Sequence, residues 1–355
     1  MSDFIHLHVH SEYSNIRLLD STNKIEDMIT YVANTLGQKG LALTDHESLS
    51  GHVRFLSTVN DLKKQGKISE DFKPILGNEI YLTDETVEDS MNANQRTRFP
   101  HFILLATNKE GHHMLRQLST RAWKRSRVFR GIERVNTYYS DIEAVIGNNK
   151  GCLIGSTACL GSYFARQVLT IITAENETQI QEAKDNIYRF MCWGLDTFGE
   201  DNFFIELQPS GLDNVEQVEY NKLAVKIANA YNVKYIITTD AHYLNKEQAR
   251  VHEAFLTSQD DSSGSREVAK FYESTYFHSE EELYASMSYL GEDVIRLAIE
   301  NTKRIADRCE VYSLESPQTI PTIPLPSESE WYANDEFKTI ALKYVRSAGG
   351  RDFLC

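Results

Sequence analysis

His6-Leu7-His8-Val9-His10-Ser11 is the stretch on which the reading of this chain turns. Three imidazoles alternate with two aliphatic residues. Side chains alternate across a strand with a period of two, so a strand here puts all three rings on one face. Strands also hold their side chains stiffly, as metal ligation requires. A histidine-rich terminus or a half-polar edge strand would produce the same letters. Later strand ends separate these readings, because they also carry ligand-type residues.

Ser21-Thr22-Asn23 precedes Ile25, Met28, Ile29, Val32 and Leu36 at helical spacing, with Gly37 or Gly40 to stop the helix. Leu41-Ala42-Leu43 then reads as a short strand ending in Thr44-Asp45-His46. Val53, Leu56, Val59 and Leu62 mark a second helix, and the run from Lys73 to Tyr81 a further strand, with Glu79 facing opposite to Ile80. His101-Phe102-Ile103-Leu104-Leu105-Ala106 is a strand that starts with histidine, after a polar excursion from Asp84 to Pro100. Gly151 to Ser156 is followed by Thr157-Ala158-Cys159-Leu160-Gly161, and Tyr235-Ile236-Ile237-Thr238-Thr239 runs into Asp240-Ala241-His242. Phe203 to Leu207 is one more strand, and helices are expected over 176–195, 220–231, 280–290 and 291–309. Strands alternating with helices predict an α/β fold with a parallel sheet or barrel.

In such a fold the C-terminal ends of the strands converge. The residues collected there are His8, His10, His46, Glu79, His101, Cys159, Asp240 and His242, with Asp20 in the loop after the first strand. Nine ligand-type side chains are too many for one tetrahedral ion and suit two or three, with a bridging carboxylate or water. A mixed nitrogen, oxygen and sulfur set favours zinc, manganese or iron over calcium, with magnesium admitted at one site only. Such a cluster performs hydrolysis. No glycine-rich phosphate loop or Gly-x-Ser-x-Gly elbow competes with it.

The formal charge of −14 argues against strong autonomous binding to duplex DNA. Against that background Arg116, Arg121, Lys124, Arg125, Arg127, Arg130 and Arg134 stand out, with Trp123 and Phe129 among them. The run suits a phosphate backbone with stacked bases; a solvated helix face or a partner-subunit contact would use the same residues. Cys152, Cys159, Cys192, Cys309 and Cys355 show neither a disulfide framework nor zinc-knot spacing. With no apolar run of membrane length and no signal-peptide pattern, the expectation is a cytosolic protein without a membrane partner. Asp260-Asp261 reads as a solvated pair in a polar loop, Pro317 to Pro326 as an extended linker, and Glu336 to Ala348 as a terminal helix.

These motifs, in this order, resemble the PHP (polymerase and histidinol phosphatase) domain, in the form found at the N-terminus of the bacterial DNA polymerase III alpha subunit. The resemblance rests on His6 to Ser14, Leu41 to His46, Pro74 to Tyr81, His101 to Ala106, Ser156 to Gly161, Thr239 to Leu244 and the helix Glu300 to Cys309. It implies a distorted seven-stranded (β/α)7 barrel with a C-terminal helical extension. The PHP phosphoesterase domain would span 1–312, its polymerase-type closing segment about 245–312, and a proline-rich linker with a terminal helix 313–355. It implies that the nine residues hold a metal cluster. His8, His10, Glu79 and Asp240 are then the catalytic positions, and Arg116, Arg121, Lys124, Arg125, Arg127 and Arg130 the substrate contacts. The loop from Tyr13 to Ser21 departs from the family pattern by carrying extra residues before Asp20 and by placing Ser21 where the pattern has a glycine after the aspartate. The function expected is a metal-dependent 3′–5′ exonuclease acting on a single-stranded or frayed DNA end, alongside a polymerase or other replication subunit in a bacterial or phage-infected cell. A catalytically silent docking module and a phosphatase of the histidinol-phosphatase type are the alternatives. No strand offers the paired aspartates of a polymerase palm, so polymerase activity is not expected, and the ending at Phe353-Leu354-Cys355 suggests a truncated or split product.

Overall fold

The computed structural model describes residues 3–16, 19–85, 100–129, 132–258 and 272–319, together with 335 and 339. Most of the polar excursion after Asp84, the Asp260-Asp261 loop, Arg130, most of the proline-rich stretch and the expected terminal helix lie outside the described residues. Met1–Leu314 forms one compact unit and Glu315–Cys355 a second; every element below lies in the first.

In chain order the strands are β1 (Gly40–Leu43), β2 (Lys73–Thr83), β3 (His101–Ala106), β4 (Arg127–Phe129), β5 (Ile132–Arg134), β6 (Thr137–Tyr138), β7 (Leu153–Ser156), β8 (Phe203–Leu207) and β9 (Lys234–Ile237). The helices used below are α1 (Ile25–Thr30), α2 (His52–Lys64), α3 (Lys109–Lys124), α4 (Tyr139–Ile146), α5 (Tyr163–Thr173), α6 (Glu177–Phe198), α7 (Val215–Tyr231), α8 (Ala249–Thr257), α9 (Glu280–Ser286) and α10 (Glu292–Arg308). A curled sheet runs β1-β2-β3-β7-β8-β9, with β6 beside the far end of β2, while β4 and β5 form a separate hairpin. β1 pairs parallel to β2, and β7, β8 and β9 are parallel to one another. β3 runs antiparallel to both its neighbours, so the sheet is mixed rather than wholly parallel.

The opening histidine stretch is not a regular strand. It lies between the two edges of the sheet, His6 bridging Leu41 and Val9 bridging Ala241. The Ala42 amide donates to His6 O at 2.8 Å and the His10 amide to Ala241 O at 3.0 Å. A bend at His8 breaks the alternation that the sequence pattern implies. Leu7 therefore packs with the interior of the curled sheet, and His8 and His10 still reach its mouth. His6 turns elsewhere, edge-on to Phe4 and Phe277, with Nδ1 2.8 Å from Thr239 Oγ1.

Alternation explains the rest of the interior. Ala42, Ile75, Ile103, Leu105, Ile154, Phe204 and Ile236 form one apolar cluster with Ile5 and Leu7. The opposite faces of the same strands pack outward against helices: Leu41 and Leu43 with Phe55 and Val59 of α2, Phe102 and Phe203 with Phe190 and Phe198 of α6. Gly194 of α6 permits that contact, because a Cβ there would lie 2.5 Å from the Phe203 ring. Full burial of each such side chain contributes roughly 1.5–3 kcal/mol. Helix α10 seals the end where β2 and β9 begin. Its Ile305 and Ala306 join the interior cluster. Lys73 Nζ donates to Ala306 O at 2.7 Å, the Ile5 amide to Thr302 Oγ1 at 3.1 Å, and Asn301 Nδ2 to Tyr235 O at 2.9 Å. Only the opposite end is left for polar groups. Among the described residues no helix is long and apolar enough to cross a membrane.

Candidate metal centre

Two residues beyond each inward aliphatic side chain, toward the open end, the interior becomes polar. Gly77 and Glu79 follow Ile75, Glu206 follows Phe204, and Thr238 and Asp240 follow Ile236 on the same parity. β3 reaches this mouth with its first residue. Because it is antiparallel, His101 lies where the other strands end, and its parity matches Ile103 and Leu105. The chain turns sharply at two of these strand ends. Asp240 has φ 49° and Ala158 φ 58°, left-handed conformations that non-glycine residues adopt at some expense.

Three overlapping groups of ligand-type atoms result. They are His8, His10, Glu79 and Asp240; His10, Asp20, His46 and His242; and His46, Glu79 and His101. These groups have the composition to hold metal ions. Glu79 is common to two of them. Its Oε2 lies 3.0 Å from His8 Nε2, 2.8 Å from His10 Nε2 and 3.4 Å from His46 Nδ1, and its Oε1 lies 2.5 Å from His101 Nδ1. Asp240 Oδ1 is 3.1 Å from Nε2 of both His8 and His10. Asp20 Oδ2 is 3.2 Å from His242 Nε2 and 3.4 Å from His46 Nε2.

The outer hydrogen bonds show what the centre requires. His8 Nδ1 donates to Glu206 Oε2 at 3.0 Å, His10 Nδ1 to Ser14 Oγ at 3.0 Å, and His242 Nδ1 to Asp240 O at 2.6 Å. Ser14 in turn donates to Asp45 Oδ1 at 2.8 Å. These contacts hold each Nδ1 outward and aim each Nε2 inward, where it can carry a proton or ligate a cation. Those nitrogens face carboxylate oxygens, an arrangement that requires positive charge between them, supplied by protons on the rings or by bound cations. His10 Nε2, Asp20 Oδ2, His46 Nδ1, Glu79 Oε1 and Asp240 Oδ1 are all buried without a hydrogen-bond partner. The donor set therefore fits divalent ions.

The same demand for positive charge appears in the ionisation of the groups. Burial alone would depress the His10 pKa, but the Asp240 and Glu79 carboxylates, 3.1 and 2.8 Å from Nε2, outweigh it and hold the pKa at about 10. His8 is raised likewise: against its burial stand the charges of Asp240, Glu79 and Glu206. Burial would raise the pKa of Glu79 and Asp240, yet the surrounding imidazoles hold both well below the usual carboxylate range. Asp20 is lowered, with His242 and His46 outweighing its burial. His46 is pushed down to about 3, chiefly by burial. The Cys159 thiol is raised by burial and then by Asp240 and Glu79.

Eight of the nine expected residues meet in these groups. Cys159 stands beside them, its Sγ 3.4 Å from His101 Nδ1. Two buried carboxylates escaped the sequence reading. Glu206 accepts from His8, from Thr238 Oγ1 at 2.5 Å and from Ser156 Oγ. Asp45 accepts from the Ser11 amide at 2.7 Å and from Ser14. The signal for Glu206 was an acid inside the otherwise apolar run Phe203 to Leu207.

The basic run is divided between α3 and the β4–β5 hairpin rather than lying on one helix face. Arg121 and Arg125 converge on Asp141, at 3.4 and 2.5 Å, and Arg125 lies 4.0 Å over the Tyr138 ring. Arg116, Lys124 and Arg127 are exposed, Arg116 beside His113 Nδ1 at 3.0 Å. Trp123 Nε1 donates to Glu47 O at 2.8 Å, which ties the end of α3 to the neighbour of His46.

Comparison with known proteins gives a family and relatives for the chain. The PHP domain family matches residues 6–210. Over 325 residues the chain is 42% identical to the probable DNA polymerase YorL of Bacillus subtilis and, with the same figures, to a DNA-directed DNA polymerase of Bacillus phage SPbeta, covering 90% of this chain. It is 30% identical over 325 residues to the DNA polymerase III subunit alpha of Treponema pallidum, covering 91% of this chain. The chain spans 24% of the length of each of these relatives.

Proposed function

Because the chain belongs to the PHP domain family, we propose that it is a metal-dependent phosphodiesterase that shortens DNA from the 3′ end. The observation that carries this reading is the convergence of inward-facing imidazole nitrogens on the buried carboxylates Glu79, Asp240 and Asp20. His8, His10, Glu79 and Asp240 would hold the central ions, with His46, His101, His242 and Asp20 completing their shells. Cys159 is the ninth ligand if its thiol ionises on binding. Two or three ions of manganese, zinc or iron suit this donor set. Bound there, such ions lower the pKa of water and take up charge on phosphoryl oxygens.

The protein's own residues supply the rest. Glu206 fixes the His8 ring and Ser14, backed by Asp45, fixes the His10 ring, so both nitrogens stay aimed as substrate enters. Arg116, Lys124 and Arg127 are exposed cations on the side tied to Glu47 and would contact the DNA backbone. A recessed centre reaches a strand end more readily than a duplex interior, which favours a single-stranded or frayed substrate. Relatives named as DNA polymerases make a polymerase or another replication subunit the natural partner.

The test uses end-labelled single-stranded oligonucleotides with protein loaded with manganese, zinc or iron. Successive shortening from the 3′ end should occur, stop with chelator, and drop to background in Asp240→Asn and His10→Ala. An intact oligonucleotide with each metal, or equal cutting by both variants, would sink the assignment.

A further inference from the structure

Beside the metal centre a narrow cleft opens at the ends of β8 and β9. Gln208 follows β8, Thr239 and Asp240 follow β9, Asn214 and Gln217 open α7, and Glu273 stands at the rim. The cleft shares Asp240 with the centre, so whatever occupies it abuts a substrate bound there. Among the described residues no lysine or arginine lines it. Amides and hydroxyls dominate, and Glu273 is an exposed acid.

Gln208 decides what this cleft takes. Its backbone is fixed: the amide donates to Asn221 Oδ1 at 3.3 Å, and Asn221 Nδ2 donates to Gln208 O at 2.8 Å. The residue is only 9% exposed, yet its side-chain Nε2 is buried with no hydrogen-bond partner. A buried Nε2 donor left unpaired is unfavourable in the free protein and becomes satisfied when a ligand pairs with it.

We propose that the cleft receives the free 3′-hydroxyl of the terminal sugar, with the Gln208 carboxamide as its hydrogen-bond partner. This rests on the exonuclease reading above and gives it a reason to act at a 3′ end. A hydroxyl both donates and accepts, so it satisfies the carboxamide whichever way the amide is turned. A 3′-phosphate would meet the acid Glu273, with no lysine or arginine among the described lining residues to offset it. The 3′-hydroxyl is one sugar away from the phosphate to be cut, which suits a cleft that shares Asp240 with the metal centre.

The experiment uses the full chain loaded with manganese and two readouts. Calorimetry compares binding of thymidine 5′-monophosphate with that of its 3′-deoxy analogue. Cleavage assays compare oligonucleotides ending in a 3′-hydroxyl, a 3′-hydrogen or a 3′-phosphate. The native protein should favour the hydroxyl by about tenfold in both readouts, the scale of one lost hydrogen bond. Gln208→Leu should bring that preference within about twofold by weakening the hydroxylated ligand. A native protein without the preference, or Gln208→Leu that keeps it, overturns the proposal. Preferential nucleotide binding without cleavage of any oligonucleotide leaves the subsite standing and removes the exonuclease reading. Shortening without preference does the reverse, and neither binding nor cleavage removes both.

Discussion

Glu206 and Asp45 show how a residue acts without touching a substrate. Glu206 is fully buried and holds the His8 Nδ1 proton, which aims Nε2 at Glu79 and Asp240. Replacing it by glutamine keeps the volume and one acceptor but removes the charge behind the imidazole. Glu206→Gln should weaken metal binding by roughly 10–100-fold, as for other carboxylates that orient metal-binding histidines. Competition titration against a chromogenic chelator measures this, and unchanged affinity would show that the His8 orientation does not depend on Glu206. The sequence exposed the ligand-type histidines through their spacing. It marked Glu206 only as an acid inside an apolar run and Asp45 only as part of Thr44-Asp45-His46, and neither letter tells whether the carboxylate faces solvent or supports a ring.

At the scale of elements, helices α2 and α3 are joined by a buried pair outside the metal centre. His52 Nε2 donates to Gly77 O at 2.9 Å, and His52 Nδ1 lies 3.1 Å from His112 Nε2. Burial lowers the His52 pKa to about 3, helped by His112, and burial with Arg116 lowers that of His112 to about 4. Both values fall below the ordinary 6.5, so the unfolded chain binds more protons than the folded one between those limits. The stability this pair contributes is complete above pH 6.5 and is lost as pH falls toward 3 to 4. His52→Gln should reduce the protons taken up on unfolding between those limits by about one, read from the slope of unfolding free energy against pH. An identical slope would mean that His52 is already protonated in the folded protein. The elements themselves were largely legible. β3 begins at His101 and α6 is capped by Asn176, whose side chain accepts from Gln179 N. The β4–β5 hairpin was not, because its basic residues carry no alternation to mark it.

For the whole molecule, α10 seals one end of the curled sheet and leaves a recess of buried imidazoles and carboxylates at the other. Ions that bind only the folded state stabilise it by mass action. Chelation should therefore lower the Tm by about 5 °C or more, with recovery on adding manganese or zinc, as followed by calorimetry. A Tm unmoved by chelator would show that the recess is not filled in the purified protein. The sequence by itself determined most of the alternation of strands and helices, the residue types at the strand ends and the resemblance to the PHP domain, because these depend on local periodicity and spacing. Tertiary structure decided which of them meet. The antiparallel run of β3 carries His101 to the common mouth, and the bend at His8 separates His6 from His8 and His10. Strand direction and a single backbone bend are set by how distant segments pair and pack, and a period-two pattern reads the same in either direction.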